Sequence, residues 1–202
     1  LSLNSNLNLD SSSDFISDSD IKDLEGFNAI KNALPNSQLN TLNLKRNRIE
    51  EQESVEIADI LPHTELTTLN LRYNSIKDRG AEAIASVLPR TRLVSLNLGY
   101  NEIEDEGAIA IARVLPKTKL VSLNSAGNTI RHQGAEAIAS FLPRTKLVSL
   151  NLEYSGIPSA EAITIALSDS KLTALDLSRN KIAYYAENKI KRAKPDLNVL
   201  FH

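Results

Sequence analysis

One phrase recurs along this chain with a period of 27 residues. The phrase is roughly L-x-x-L-x-L-x-x-N-x-I, and in most copies an apolar, alanine-containing stretch follows it and ends in Leu-Pro. A repeat of this length predicts a solenoid, because each short unit can bury its apolar face only against its neighbours. The leucines that open successive copies are Leu39, Leu66, Leu93, Leu120 and Leu147.

The repeat at residues 93–116 indicates which elements each unit contains. Leu96 and Leu98 alternate with polar or small residues, which is typical of a strand with one buried face. Residues 107–115 are rich in alanine and apolar on one side, which predicts a helix packed closely on its neighbours. Pro116 is expected to stop this helix, since proline disfavours helical backbone at the residue before it.

Two spacings predict the shape of the stack. Parallel strands lie about 4.8 Å apart, whereas packed helices need about 8–10 Å. A stack of strands on one side and helices on the other must therefore curve. We expect an α/β horseshoe solenoid with parallel strands on the concave face and α-helices on the convex face. Residues 1–20 are interpreted as an N-terminal cap with a Ser/Asp-rich loop, and residues 21–202 as one solenoid domain with capping ends.

Residues 66–76 (LTTLNLRYNSI) and 80–85 (GAEAIA) resemble leucine-rich repeats of the ribonuclease-inhibitor type. The resemblance covers residues 21–202 and implies a leucine-rich-repeat horseshoe. Repeats of this type also form the sensing ends of nucleotide-binding innate-immune receptors, Ran GTPase-activating proteins and some effectors of intracellular bacteria. The ribonuclease inhibitor itself is rich in cysteine, whereas this chain has none. Because the exposed residues select the partner, the resemblance predicts protein binding without naming a partner.

The composition argues against several other functions. The absence of cysteine excludes disulfides, thiolate zinc sites and thiol catalysis, and it fits a reducing compartment. The net charge of -2 does not favour nucleic acid, and no apolar run approaches the length of about 18 residues that spans a membrane. The three histidines, at 63, 132 and 202, lie in unrelated phases of the repeat, and no nucleotide, zinc-protease or hydrolase motif occurs. We therefore predict a cytoplasmic protein that is no enzyme and holds no cofactor or metal.

The strand residues that alternate with the buried leucines are expected on the concave face. Tyr73, Tyr100 and Tyr154 fall in one phase of the repeat, and exposed tyrosine beside arginine is typical of interface hot spots. Small residues at 99, 126 and 127 predict a low centre that a partner could approach. A tyrosine that merely suits a strand end is the alternative interpretation. The predicted partner-binding residues are Tyr73, Tyr100, Tyr154, Arg72, Lys45, Arg46, Glu153, Asn97, Asn124 and Arg179.

Several irregularities interrupt the pattern, among them Ser125, which stands where the other repeats have a core leucine. Leu147 and Leu172 are only 25 residues apart, and alignment of the repeats places the deletion in the loop at 157–158. Ser155 replaces the asparagine that stands at the loop position of the other repeats, where an amide can satisfy unpaired backbone groups.

The leading hypothesis is a non-enzymatic module, monomeric by itself, that recognises a folded protein through its concave face. A bacterial effector that acts in the host cytosol is one form of this hypothesis, and it derives from the resemblance. One alternative is a GTPase-activating regulator resembling the Ran GTPase-activating proteins, which would use a rim asparagine or arginine to position the GTPase's own machinery. The other is a ligand-sensing fragment of an immune receptor.

Overall fold

The computed structural model of the chain describes residues 14–15 and 24–201. Within them, eight short strands alternate with seven α-helices after the first strand. The strands are β1 (Asp14–Phe15), β2 (Thr41–Asn43), β3 (Thr68–Asn70), β4 (Ser95–Asn97), β5 (Ser122–Asn124), β6 (Ser149–Asn151), β7 (Ala174–Asp176) and β8 (Asn198–Leu200). The helices are α1 (Leu24–Ala33), α2 (Glu51–Ile60), α3 (Lys77–Val87), α4 (Asp105–Val114), α5 (His132–Phe141), α6 (Glu161–Leu167) and α7 (Tyr184–Ala193).

The strands form one parallel sheet in sequence order, β1 to β8. Equivalent residues of successive repeats are paired, so that Leu42 lies beside Leu69 and Leu69 beside Leu96. The columns that the sequence aligns are therefore physical columns across the sheet. This arrangement confirms the predicted fold class, a solenoid of parallel strands alternating with helices.

The core lies between the sheet and the layer of helices. In β2 to β7 the central leucine is buried and its two neighbours are half-buried, as alternation predicts. Isoleucines and alanines of the helices cover these leucines from the other side, among them Ile84, Ala108 and Ile111. Among the described residues, no helix is both long and apolar enough to cross a bilayer.

The predicted boundary between residues 1–20 and residues 21–202 lies in a part of the chain outside the described residues, and it stays a prediction. The described pair Asp14–Phe15 pairs in parallel with β2, opposite Leu42 and Asn43. These two residues therefore belong to the same sheet as the repeats.

The Leu-Pro pairs end α1 to α5 in the way that the sequence predicts, but helical backbone continues for one more turn. In five repeats the Leu-Pro pair forms a single 3₁₀ turn directly after the α-helix, as at residues Leu115–Lys117. Helix α6 has no such turn, and Ser168 stands where the other repeats have proline. Helix α6 is also shorter, with seven residues, since the deletion at 157–158 removes its first turn.

The loop asparagines, of which all but the half-buried Asn180 are buried, are used differently in alternate repeats. Asn74, Asn128 and Asn180 each accept two hydrogen bonds at Oδ1 from backbone N–H groups of the preceding repeat, at 2.9–3.1 Å. The Oδ1 atoms of Asn47 and Asn101 are buried and have no hydrogen-bond partner among the described residues. The residue after each of these two asparagines has a positive φ, whereas the residue after Asn74 does not. The structural unit is therefore a pair of repeats.

Ser155 occupies a position of the second kind, 54 residues after Asn101. The Nδ2 of Asn101 donates to two backbone carbonyls, at 2.9 and 3.2 Å. The hydroxyl of Ser155 lies 3.4 and 3.2 Å from the two equivalent carbonyls. Serine thus replaces asparagine where the amide oxygen has no donor to accept from, and the exchange loses no acceptor contact.

Two helices receive their N-terminal cap from the repeat before them. The carboxylate Oδ1 of Asp78, on α3, accepts hydrogen bonds from the N–H groups of Glu104 (2.8 Å) and Gly107 (2.9 Å) at the start of α4. Asp105 accepts a hydrogen bond from the N–H of Gly134 in α5 in the same manner. A Cβ on Gly107 would lie 2.6 Å from Oδ1 of Asp78, so this close approach requires glycine.

Candidate functional site

The predicted tyrosines occupy a backbone position that is left-handed in all six repeats. The φ angles there range from 49° to 65°, three residues after each strand from β2 to β7. Left-handed backbone costs roughly 1–2 kcal/mol for a residue with a Cβ, and it is unusual for bulky side chains. The local conformation therefore disfavours tyrosine, which argues against the alternative that tyrosine merely suits a strand end. The column consists of Arg46, Tyr73, Tyr100, Gly127, Tyr154 and Arg179.

Tyr73 and Tyr100 form a stacked pair at the carboxyl edge of the sheet. Their ring centroids are 4.5 Å apart and the ring planes are inclined by 23°. Tyr100 in turn lies against Gly127, where an added Cβ would come within 2.4 Å of the ring. Each ring is half-buried, so the pair is held in place and still offers a face to a partner.

The depression that the sequence predicts at residues 99, 126 and 127 is filled by neighbouring side chains of the protein. The ring of Tyr100 covers the space above Gly127, and Ala126 is only 1% exposed. Gly99 is also buried, since an added Cβ would meet the side-chain oxygen of Asn124 at 3.1 Å. The missing side chains make room for neighbouring protein groups, and the expectation of a depression for the partner is wrong.

Three cations surround the stacked pair. The guanidinium carbon of Arg72 lies 4.8 Å from the ring centroid of Tyr73 and 4.9 Å from that of Tyr100. Arg46 lies 4.9 Å and the Nζ of Lys45 lies 5.7 Å from the centroid of Tyr73. Each such cation–π contact contributes about 0.5–1 kcal/mol at an exposed site. We call these five residues the cationic tyrosine cluster.

The positive charge of this cluster is only partly balanced. Lys45 and Arg72 form no ion pair with any carboxylate of the described residues. One Nη atom of Arg72 donates to the hydroxyl of Tyr73 at 3.4 Å, but its Nε is buried without a hydrogen-bond partner. The cluster therefore favours a ligand that brings negative charge or acceptor oxygens.

Tyr154 lies apart from the cluster. Its side chain is 61% exposed, and the described residues include no aromatic ring or cation stacked on it. The neighbouring Glu153 forms an ion pair with Arg179, with Nε and Oε1 3.5 Å apart. The predicted site residues thus divide into a basic aromatic group at the N-terminal end of the sheet and a smaller group near its other end.

Asn97 and Asn124 lie on the concave face as predicted, and each also has a structural role. The Oδ1 of Asn97 accepts a hydrogen bond from the N–H of Gly99, and that of Asn124 from the N–H of Ala126, both at 3.0 Å. The same contact occurs after every strand from β2 to β7, where Asp176 replaces asparagine in the last. This turn contact fixes the orientation of each amide.

No group of three or more potential metal ligands occurs among the described residues. A surface cleft of about 240 Å³ lies between α5 and α6 and includes His132 and Ile165. It is separated from the tyrosines by the core. No feature of this cleft was predicted from the sequence.

Comparisons with known proteins agree with this geometry. A leucine-rich-repeat sequence profile matches residues 63–85, 91–112 and 168–184, while no curated protein matches the chain significantly. A structure titled leiomodin-1 actin-binding site 2 is 23% identical, with a TM-score of 0.58 over 72% of this chain and 87% of that one. An internalin from Listeria monocytogenes is 20% identical, with a TM-score of 0.54 over 89% of this chain and 50% of that one.

The third structure is the Arabidopsis receptor kinase HAESA, solved in complex with the peptide hormone IDA and the co-receptor SERK1. It is 18% identical, with a TM-score of 0.52 over 82% of this chain and 26% of that one. The chain thus spans half of the internalin and about a quarter of the receptor kinase. At these identities the three likenesses show a common fold.

Proposed function

Because this chain is a leucine-rich-repeat protein with repeats of the ribonuclease-inhibitor type, we propose that it binds a folded protein through its concave face, with the cationic tyrosine cluster as the main contact. Leucine-rich-repeat domains are typically protein-binding modules and usually non-catalytic. The choice of the concave face and of these residues rests on the geometry of the cationic tyrosine cluster.

The observation that carries the proposal is the stacked pair Tyr73–Tyr100 beneath three cations. The pair is ordered before any partner arrives, so little side-chain freedom is lost on binding. Tyrosine and arginine are the residues that dominate interface hot spots, where truncation of one costs about 2 kcal/mol or more. Since the left-handed backbone disfavours tyrosine here, its presence at two adjacent repeats supports a role in binding.

The neighbouring folds support the same class of function. One is an actin-binding site of leiomodin-1, and another was solved with a peptide hormone and a co-receptor bound. Both are structures of proteins that bind a protein or a peptide, which supports a binding role for this chain and names no partner. The effector role and the cytoplasmic location stay predictions.

A capture experiment with matched variants tests the proposal. The double variant Tyr73→Ala/Tyr100→Ala removes both rings. Tyr185→Ala is the control, because Tyr185 is 64% exposed on α7 and has the Nζ of Lys189 5.3 Å from its ring. Proteins captured from a lysate by the wild type are purified, and their dissociation constants for the wild type and both variants are measured.

We expect the double variant to bind the purified partner at least about 30-fold more weakly, the equivalent of one lost hot spot. Tyr185→Ala should bind like the wild type. Thermal unfolding of all three proteins establishes that the variants are folded. Full affinity in the double variant, or a loss confined to Tyr185→Ala, would refute the assignment of the concave face.

A further inference from the structure

The concave face carries a row of amide donors that no described residue of the protein engages. The carboxamide oxygens of Asn43, Asn70, Asn97 and Asn124 are each engaged by the backbone N–H two residues further on, at 3.0–3.1 Å. This contact settles the identity of the two amide atoms, because a backbone N–H can bond only to the oxygen. The Nδ2 groups of these four side chains form no hydrogen bond within the described residues.

The row ends at β6, where the situation changes. The Nδ2 of Asn151 lies 3.3 Å from the carboxylate of Asp176, which occupies the same column in β7. Glu153 also lies at this end. The free donors are therefore confined to β2, β3, β4 and β5, while carboxylates stand beyond them.

The free donors continue into the positive end of the site. Lys45 and Arg72 lie two residues after Asn43 and Asn70, at the same end of the sheet, and form no ion pair among the described residues. A surface of N–H donors and cations, bounded by carboxylates on one side, is complementary to a ligand that offers only acceptor oxygens.

We propose that the concave face selects an extended, acidic protein segment, whose carboxylates accept hydrogen bonds from the amides of Asn43, Asn70, Asn97 and Asn124 and pair with Lys45 and Arg72. The inference rests on the proposed function, since it assigns the chemistry of the partner at the same surface. It favours a protein segment over nucleic acid because Asp176 repels a polyanion that continues along the sheet, where Glu153 is paired with Arg179.

Dimensions set the length of the segment. Four strands at a spacing of about 4.8 Å place the outer amides about 14 Å apart. An extended chain rises about 3.3 Å per residue, so about five residues cover the row. Alternate residues of such a chain face the sheet. The segment therefore presents acidic side chains at alternate positions, and three of them match the row.

The probe is a blocked (Glu-Gly)₅ peptide, and the matched neutral peptide is (Gln-Gly)₅. Binding is followed by ¹⁵N–¹H NMR of the full chain, in which each asparagine side chain gives its own pair of NH₂ signals. We expect the acidic peptide to shift the signals of Asn43, Asn70, Asn97 and Asn124. The NH₂ groups of the buried loop asparagines, which already donate to backbone carbonyls, serve as the internal reference and should not move.

The decisive variant is Asn97→Asp, which keeps the turn acceptor and removes the donors. The fold accommodates this exchange, because Asp176 makes the same turn contact to the N–H of Ser178 at 2.9 Å. The control is Gln133→Glu, which adds a negative charge at an exposed position of α5. Asn97→Asp should weaken (Glu-Gly)₅ binding by about tenfold or more, the loss expected for one charge-assisted hydrogen bond together with repulsion by the new carboxylate, while the control binds like the wild type.

Three results would overturn the inference. These are equal binding of the glutamine peptide, equal affinity of Asn97→Asp and Gln133→Glu, and tighter binding of oligothymidylate with the same NH₂ shifts. If the peptide fails but loss of Tyr73 and Tyr100 abolishes partner capture, the proposed function stands and this inference falls. If the peptide binds as expected but the tyrosine variant captures its partner normally, the tyrosine assignment falls instead.

Discussion

Replacing two loop asparagines by serine should have very different effects on stability, although the two positions are one repeat apart. Asn128 accepts hydrogen bonds at Oδ1 from the N–H groups of Asn101 and Ile103, at 3.0 and 3.1 Å. Both donor residues are 0% exposed, so neither N–H can turn to water. The Oδ1 of Asn101, by contrast, has no partner among the described residues, and Ser155 is a native example of serine at an equivalent position.

The magnitude follows from these contacts. An unpaired buried donor costs about 1–3 kcal/mol, and Asn128→Ser leaves two, so we expect a loss of about 3 kcal/mol. Asn101→Ser keeps a donor for the same carbonyls and should cost about 1 kcal/mol or less. Since a domain of this size is stabilised by about 5–15 kcal/mol, the difference is readily measured.

Urea unfolding followed by far-UV circular dichroism gives the free energies of unfolding of the two variants, which carry the same asparagine-to-serine substitution at different positions. Hydrogen exchange adds a local measurement, because the amide of Ile103 should lose protection in Asn128→Ser and keep it in Asn101→Ser. Equal destabilisation by the two variants would show that the alternation of amide contacts has no energetic meaning.

Three further predictions concern single contacts. Gly127→Ala should lower stability by about 1–2 kcal/mol, because φ is 65° there and the new Cβ would displace the ring of Tyr100; chemical denaturation and tyrosine fluorescence measure both effects. Asp78→Ala should cost about 1–2 kcal/mol, since two N–H groups at the start of α4 lose their acceptor; hydrogen exchange of that turn is the check. The Nζ of Lys31 lies 2.7 Å from Oε2 of Glu56 and lowers the pKa of Glu56. The ion pair therefore stabilises the fold at pH values above the ordinary glutamate pKa of about 4.3. Its contribution is lost as the pH falls through the lowered pKa. Lys31→Gln should therefore cost less than about 1 kcal/mol near neutral pH, since both side chains are about one-third exposed, and nothing in acid; unfolding at both pH values tests this.

The columns of equivalent residues in the solenoid could be predicted from the sequence, because each repeat carries the same residue types at the same positions. Buried strand leucines, helix isoleucines and the Leu-Pro turn each recur at the same phase, so an error in one repeat is corrected by the others. The residues that face the concave side follow from the same alternation, which accounts for Arg72 and Asn97, whereas Tyr73 lies in the left-handed turn at the carboxyl edge of the sheet.

The contacts between repeats could not be predicted from the sequence, because the same residue type makes different hydrogen bonds in different repeats. Asn101 and Asn128 look identical in the repeat, and only the exchange of Asn for Ser at 155 signals that one kind of position tolerates the loss of an acceptor. The glycine at 107 was a further signal, because a helix gains nothing from glycine unless a neighbour comes close. The stacking of Tyr73 on Tyr100, and the separation of Tyr154 from both, depend on side-chain directions that a period does not encode.

The carboxylates of Asp78 and Asp105 give the array a direction. Each accepts hydrogen bonds from the first N–H groups of the next helix in the chain, and among the described residues no later helix caps an earlier one in this way. During synthesis on the ribosome, the capping carboxylate is therefore made before the helix that it caps. If synthesis ran in the opposite direction, each helix would be made before its capping carboxylate. Removing the N-terminal repeats up to and including Asp78 should therefore destabilise the remaining repeats more than removing the same number from the C-terminal end.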